Sequence, residues 1–500
     1  MADEHGHEFR RELRVLDSTM LVMGSMIGSG IFIVSADIAR TVGSPGYLLL
    51  VWLITGVITI TAALSYGELA GMMPHAGGQY VYLREAYNPL TGFLYGWTLF
   101  LVIQSGTIAA VAVAFAKFTS LLVPSLGEQN ILVTVLGHPI SAAQVLAIGT
   151  VLLLTGVNLR GIHGGRIVQN IFTITKTVAL FALIVAGLAV AGSHGTFSID
   201  LAHFWDASWS KLTNGTVSTV PLTGLGILAA IGVAMVGSLF SSDAWNNITF
   251  TAGEVVNPRR TIPVSLALGT GIVTLLYLLA NVAYISLLPF SGSPGGTDVL
   301  ARGIQFATSD RVATAAASVM FGAPAAVLMA VLIMISTFGC NNGLILAGAR
   351  VQYAMAKDGL FFRRCGFLNK RGVPGVALIL QAVWASLLCL SGTYGDLLDY
   401  VVFAVLVFYI LTVGGIFVLR VRQPHAERPY RAFGYPFLPA LYILAALAIS
   451  IDLLVLKPAY TWPGVIIVVM GVPVYLVWTF VRRRSTPLES QPDRDRGPRT

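Results

Sequence analysis

The 500-residue sequence predicts an all-α polytopic membrane protein. Hydrophobic residues make up 55% of the chain and charged residues only 11%, against about 25% charged in an ordinary soluble domain. The apolar residues gather into twelve stretches, each near the ~20 residues that cross ~30 Å of hydrocarbon. The ~10-residue alternating strands of a membrane barrel are absent, which leaves helices as the spanning form.

In order, the segments fall at 15–40, 46–70, 90–123, 139–158, 167–192, 222–252, 263–289, 312–350, 374–392, 396–420, 436–456 and 462–481, and are numbered 1 to 12 below. They divide into a cytoplasmic N-terminal stretch at 1–14, a first five-span unit at 15–192, a second at 222–420, and two further spans at 436–481. The tail at 485–500 is polar, charged and proline-containing, a composition that predicts disorder. Segment 1 follows Arg10, Arg11 and Arg14 without a short apolar core and small-residue cleavage site, so no removable leader is expected.

Sidedness follows from Lys and Arg. Alternate loops, starting from the N-terminus, hold 24 of them, the other side holds only Arg40, Lys117, Lys211, Arg302, Arg311 and Lys457, and Lys176 lies inside a segment. Both termini are therefore expected in the cytoplasm, in a plasma (inner) membrane. The same distribution accounts for the net charge of +8 without nucleic acid, because the basic residues sit in short runs between apolar segments. Cys340, Cys365 and Cys389 form neither a disulfide framework nor a CxxC pair.

Two segments are interrupted where a spanning helix should be most regular. Segment 1 carries Gly24-Ser25-Met26-Ile27-Gly28-Ser29-Gly30-Ile31-Phe32, and glycines this dense weaken a helix, although they also permit close helix packing. Segment 6 carries Gly237-Ser238-Leu239-Phe240-Ser241-Ser242-Asp243-Ala244-Trp245-Asn246, a polar cluster that lipid tolerates only where it lines a cavity. These are the first members of the two five-span units. Interruptions at matching positions point to an inverted repeat (a 5+5, LeuT-like arrangement) with a binding site at the breaks. Opened helix ends offer N–H groups to a carboxylate and carbonyls to an ammonium, and a zwitterionic α-amino acid presents both.

At these residues the chain resembles the amino acid–polyamine–organocation transporter superfamily, and within it a prokaryotic-type member of the L-type amino acid transporter branch. The likeness covers nearly the whole chain. It rests on Gly28-Ser29-Gly30-Ile31-Phe32, on Tyr66-Gly67-Glu68-Leu69 with Pro74 and Gly77-Gly78-Gln79-Tyr80, and on Phe240 to Asn246 followed by Glu254, Asn257, Pro258, Arg259 and Pro263. The late run Arg428-Pro429-Tyr430-Arg431-Ala432-Phe433-Gly434-Tyr435-Pro436 completes it.

The resemblance implies sodium-independent amino acid transport by alternating access, with exchange as the mode. Gly28, Ser29 and Gly30 would supply N–H groups, and Ser29 its hydroxyl, to the substrate carboxylate. Carbonyls near Met26, Ile27, Phe240 and Asp243 would receive the ammonium, with Ser241 beside them. Phe240 matches the family's outer aromatic gate. Trp245 and Asn246 either line the pocket or tie segment 6 to its neighbours. Lys176 matches a segment 5 lysine that stands where sodium-coupled relatives hold sodium; the competing role is a lysine snorkelling to the interface. Ser336 to Gly343, including Cys340, would face the site or serve packing.

Asp243 departs from the small residue many family members carry there. An unpaired carboxylate in an apolar interior is costly, so it would meet a cationic substrate, carry a proton as in a proton-coupled symporter, or rest on nearby backbone N–H groups. Glu68, Arg84, Glu254 and Arg259 sit at cytoplasmic segment ends; Glu68 and Glu254 are candidate gating residues, but solvated charge is the expected state because exposed pairs are worth little. Asn214-Gly215-Thr216 is a three-residue glycosylation match without weight. The loop from Pro124 to Pro139, where eukaryotic L-type relatives carry the cysteine that links an accessory single-span subunit, has no cysteine, so no disulfide-linked partner is expected. Amino acid substrates and the lipid bilayer are the expected partners. No HExxH or GxSxG occurs, and His75 and His163 are isolated, so neither an enzyme nor a metal or cofactor site is expected. No ring of like charges or filter repeat suggests a channel. A sensor built on a transporter fold is a minor alternative.

Overall fold

The computed structural model describes residues 9–135, 138–191, 203–213, 216–322, 324–390 and 394–485. Among them, ten helices are long and apolar enough to cross a membrane: Val15–Ile33, Pro45–Met72, Pro89–Leu122, Ala142–Leu159, His163–Val190, Pro258–Leu287, Pro324–Lys357, Val401–Arg422, Phe437–Leu456 and Thr461–Arg482. Shorter apolar helices run over Leu225–Ser241, Val312–Phe321 and Gly375–Leu388. The expected tail lies, from 486 onward, outside the described residues, as do Asn214 and Gly215.

Local chemistry sets several boundaries. Pro45, Pro89 and Pro258 each open a helix at its first turn, where the missing N–H costs nothing. Asn88 caps the third helix by accepting from the Thr91 N–H, and Ser141 with Gln144 forms a capping box at the fourth. Gly43, at φ 74, ends Ser35–Val42, a conformation that favours glycine. A π-helical turn at Leu99–Ile103 interrupts segment 3.

Two expectations are corrected. Segment 8, read as continuous over 312–350, is two helices, Val312–Phe321 and Pro324–Lys357, parted at Gly322 with φ 73. The all-helical reading also missed two antiparallel hairpins in loops, Ile131–Val135 with His138–Ser141 and Ser208–Thr213 with Thr216–Pro221. The second packs on the helix Ser35–Val42, and ahead of it the Phe204 carbonyl accepts from the Gly46 N–H at the start of segment 2 at 2.8 Å.

Segment 2 packs on segment 7, segment 3 on segment 8 and segment 4 on segment 9. Outward helices expose large apolar side chains, among them Leu153, Val178, Phe181, Leu444 and Ile466. Apolar surface on that scale belongs against lipid, and the chain is an integral membrane protein.

Candidate functional site

Segment 1 is helical from Val15 to Met26 and resumes at Gly30, first as Gly30–Ile33 and then as Ser35–Val42. The gap leaves carbonyls without their helical N–H partners, and buried carbonyls left so are costly. Other segments supply the donors. The buried Lys176 ammonium donates to the Gly24 carbonyl at 2.6 Å and the Ile27 carbonyl at 2.5 Å. The Ser336 hydroxyl reaches the Ile27 and Gly28 carbonyls at 3.2 and 3.0 Å, and the Cys340 thiol donates to the Ser25 carbonyl at 3.0 Å.

Segment 6 is helical over Leu225–Ser241 and again over Asn247–Phe250. Between them Ala244 adopts φ 64, a left-handed conformation costing about 1 kcal/mol or more for a residue with a Cβ. The Phe240 carbonyl accepts from the Asp243 N–H at 3.2 Å. The two breaks meet. A Cβ on Gly30 would lie 2.0 Å from the Ser241 hydroxyl, so position 30 admits no side chain, and a Cβ on Gly28 would lie 3.2 Å from Cys340 Sγ.

One side chain binds both breaks: the Tyr277 hydroxyl lies 3.0 Å from the Met26 carbonyl and 3.1 Å from the Ser241 carbonyl. Sequence reasoning missed it, since a tyrosine inside the apolar run of segment 7 carries no motif. Tyr277→Phe should leave the Ser241 carbonyl short of a donor, while the Met26 carbonyl keeps the Gly28 N–H at 2.9 Å, a loss of about 1–3 kcal/mol. A lower melting temperature in detergent, with slowed uptake, is expected; unchanged values for both would exclude the tether.

The Asp243 carboxylate accepts from the Tyr409 hydroxyl at 2.6 Å, a partner absent from the sequence-based expectations, and also meets the Ala244 N–H. Trp245 packs edge-on against Tyr66 with centroids 4.7 Å apart and lies 5.2 Å from Tyr409. The Asn246 amide donates to Gln79 Oε1 at 2.9 Å, and the Gln79 amide donates to Thr412 at 3.0 Å. Trp245 thus ties segment 6 to segments 2 and 10, Asn246 ties it through Gln79 to segment 10, and both border the clefts beside Asp243. Phe240 is buried on the last helical turn before the break.

The expectation of solvated charge fails at Glu68 and Glu254, each only 1% exposed. Glu68 receives Arg420 through two bonds of 3.0 and 2.7 Å and the Ala432 N–H at 2.7 Å, with Arg428 3.3 Å away. The Tyr66–Leu69 and Arg428–Pro436 motifs are therefore one structure, with Tyr430 against Gly67. Glu254 pairs with Arg350 at 2.8 Å, both wholly buried, and Arg350 lies within the helix Pro324–Lys357, two turns before its end. The N-terminal stretch docks at the same place: the Glu12 and Leu13 N–H groups donate to the Glu254 carbonyl at 2.9 and 3.0 Å, and Leu13 forms an isolated parallel bridge with Val255. Solvation does hold for the Arg259–Glu427 pair, 54% and 71% exposed. Arg84 pairs with Asp358, which also accepts from Tyr80 at 2.6 Å; burial, reinforced by Asp358, holds the Tyr80 hydroxyl protonated far above its ordinary range.

Paired helix breaks meeting inside a bundle of apolar helices define a polytopic membrane protein of the transporter class. Residues 13–479 match the amino acid permease family, and the chain belongs to it. It is 26% identical over 477 residues to b(0,+)-type amino acid transporter 1 of Mus musculus, covering 95% of this chain and 89% of that one. It is 30% identical over 476 residues to large neutral amino acids transporter small subunit 2 of Homo sapiens, covering 95% and 82%.

Proposed function

We propose that this amino acid permease is a sodium-independent exchanger of neutral L-amino acids that also admits cationic ones. Its main support is the meeting of the two helix breaks beneath Tyr277, with the Lys176 ammonium donating to segment 1 carbonyls. A fixed ammonium at that position supplies the charge a bound sodium ion would supply and repels one. The substrate carboxylate goes to the N–H groups of Gly28, Ser29 and Gly30, and its ammonium to carbonyls near Met26, Ile27 and Phe240. Phe240 closes over the substrate from outside. The Glu68 and Glu254 ion pairs close the cytoplasmic side, where each must part for release.

The chain crosses the membrane twelve times in this reading, the ten long helices being joined by Leu225–Ser241 and Gly375–Leu388. Units 15–192 and 222–420 form an inverted repeat, which the pairing of segments 2, 3 and 4 with 7, 8 and 9 supports. Residues 436–481 add two spans, and both termini face the cytoplasm of a plasma (inner) membrane.

Purified protein in liposomes tests the mode of transport. Labelled leucine should enter liposomes preloaded with unlabelled leucine much faster than empty ones at a clamped proton gradient, and choline in place of external sodium should leave the rate unchanged. Equal uptake into empty liposomes together with a response to the proton gradient would instead establish the proton-coupled alternative.

The protein should also transport without an accessory subunit. The loop over 124–139 has no cysteine and folds as the hairpin Ile131–Val135 with His138–Ser141, so the covalent link of eukaryotic relatives cannot form there. Activity of the single purified polypeptide checks this, and activity appearing only after a second polypeptide is added would refute it.

A further inference from the structure

Two clefts adjoin the break in segment 6, and they differ in chemistry. The first is walled mainly by apolar side chains, including Ile58, Ala62, Leu239, Val402 and Leu406. The second is more polar: Gln79, Gln104, Thr107, Asn246 and Asn247 line it together with apolar residues such as Ile103 and Leu344. Asn247 is 1% exposed, and neither polar atom of its amide has a hydrogen-bond partner. A buried amide left so costs about 1–3 kcal/mol and is a ready contact for a polar ligand group.

The two clefts share three residues: Asp243, Val405 and Tyr409. The Tyr409–Asp243 hydrogen bond of 2.6 Å is therefore the partition between them. Both clefts are narrow, with room for a water and not for an amino acid side chain. Enlarging one means moving the partition into the other, because the surrounding helices are close-packed.

We propose that the substrate side chain enters one cleft or the other according to its chemistry, with the Tyr409–Asp243 pair as the movable wall that makes Tyr409 a specificity-determining residue. This rests on the amino acid transport reading above. An aliphatic side chain takes the apolar cleft and presses Tyr409 against Asp243, where the hydroxyl keeps the carboxylate satisfied. A guanidinium or ammonium takes the polar cleft, displaces the Tyr409 hydroxyl and pairs with Asp243, while Asn247, Gln104 and Thr107 supply further acceptors. One site thereby accepts two substrate classes without leaving the Asp243 carboxylate unpaired for either.

The test fills each cleft separately and measures uptake of alanine, leucine and arginine. Ala62→Leu, with Val402→Phe as an independent second variant, should raise the KM for leucine about tenfold or more and leave that for arginine within about twofold. Thr107→Leu, with Ile103→Phe as its second, should do the reverse; one added methylene in a pocket is worth about tenfold or more. Tyr409→Phe should shift the arginine-to-leucine preference toward arginine, because it frees the carboxylate. Alanine, too short for either cleft, should be taken up by all of them. Equal losses for leucine and arginine in both pairs, with alanine uptake intact, would overturn the partition, and so would loss of alanine uptake in all four cleft variants. Wild-type protein that transports none of the three would instead defeat the transport reading itself.

Discussion

Replacing Lys176 with alanine should nearly abolish transport while substrate still binds. The ammonium lies 2.6 and 2.5 Å from two carbonyls of the interrupted segment 1, and 3.4 Å from the Ser336 carbonyl in segment 8. It is thus a joint between three segments as well as a charge. Hydrogen bonds to charged groups contribute about 1.5–3 kcal/mol each, and about 1.4 kcal/mol is tenfold in a rate. Losing even part of this joint should slow turnover by two orders of magnitude or so. The Gly28–Gly30 N–H groups are not contacted by Lys176, so affinity for the substrate carboxylate should survive. Stopped transport with retained binding, measured by ligand-induced thermal stabilisation, is the expected pair of results. Normal sodium-free transport by Lys176→Ala would remove the joint from the mechanism.

Much of this architecture is legible in the sequence because lipid imposes it. A spanning helix must be long and apolar, so ten long helices fall where hydropathy puts them. A lysine or an aspartate in such a stretch is conspicuous by its cost, which is why Lys176 and Asp243 stand out. Partners are another matter. Glu68 meets Arg420 across 352 positions and Glu254 meets Arg350 across 96, and nothing local distinguishes a carboxylate that will be buried and paired from one left in water. Tyr277 and Tyr409 are invisible for the opposite reason: an aromatic ring in an apolar run reads as packing, and only the fold turns its hydroxyl toward a break. The hairpin of Ile131–Val135 with His138–Ser141 goes unseen because its strands are short, and the second runs into the start of segment 4. Segment 8 reads as continuous because Gly322 sits in an apolar run, where only its positive φ reveals the bend.

Asp243→Asn should impair cationic substrates selectively, by about tenfold or more, and leave leucine within a few fold. The carboxylate is half-buried beside the break, and its side-chain partner is the Tyr409 hydroxyl. Asparagine keeps an acceptor for that hydroxyl, so the neutral-substrate state should persist. What it removes is the negative charge, which alone among the named cleft residues can neutralise a guanidinium in a low-dielectric interior. A proton-carrier role for Asp243 gives a different pattern: the same substitution would flatten the pH dependence for every substrate, and uptake would stop responding to a proton gradient. A purely local role, accepting from Tyr409 and the Ala244 N–H, gives a third, in which asparagine substitutes with little change for any substrate. Competition of labelled alanine, leucine and arginine against wild type and Asp243→Asn, each at two pH values, separates these. Selective loss of arginine at both pH values is the expected result, and equal loss of all three at both would mean that the variant has lost its fold.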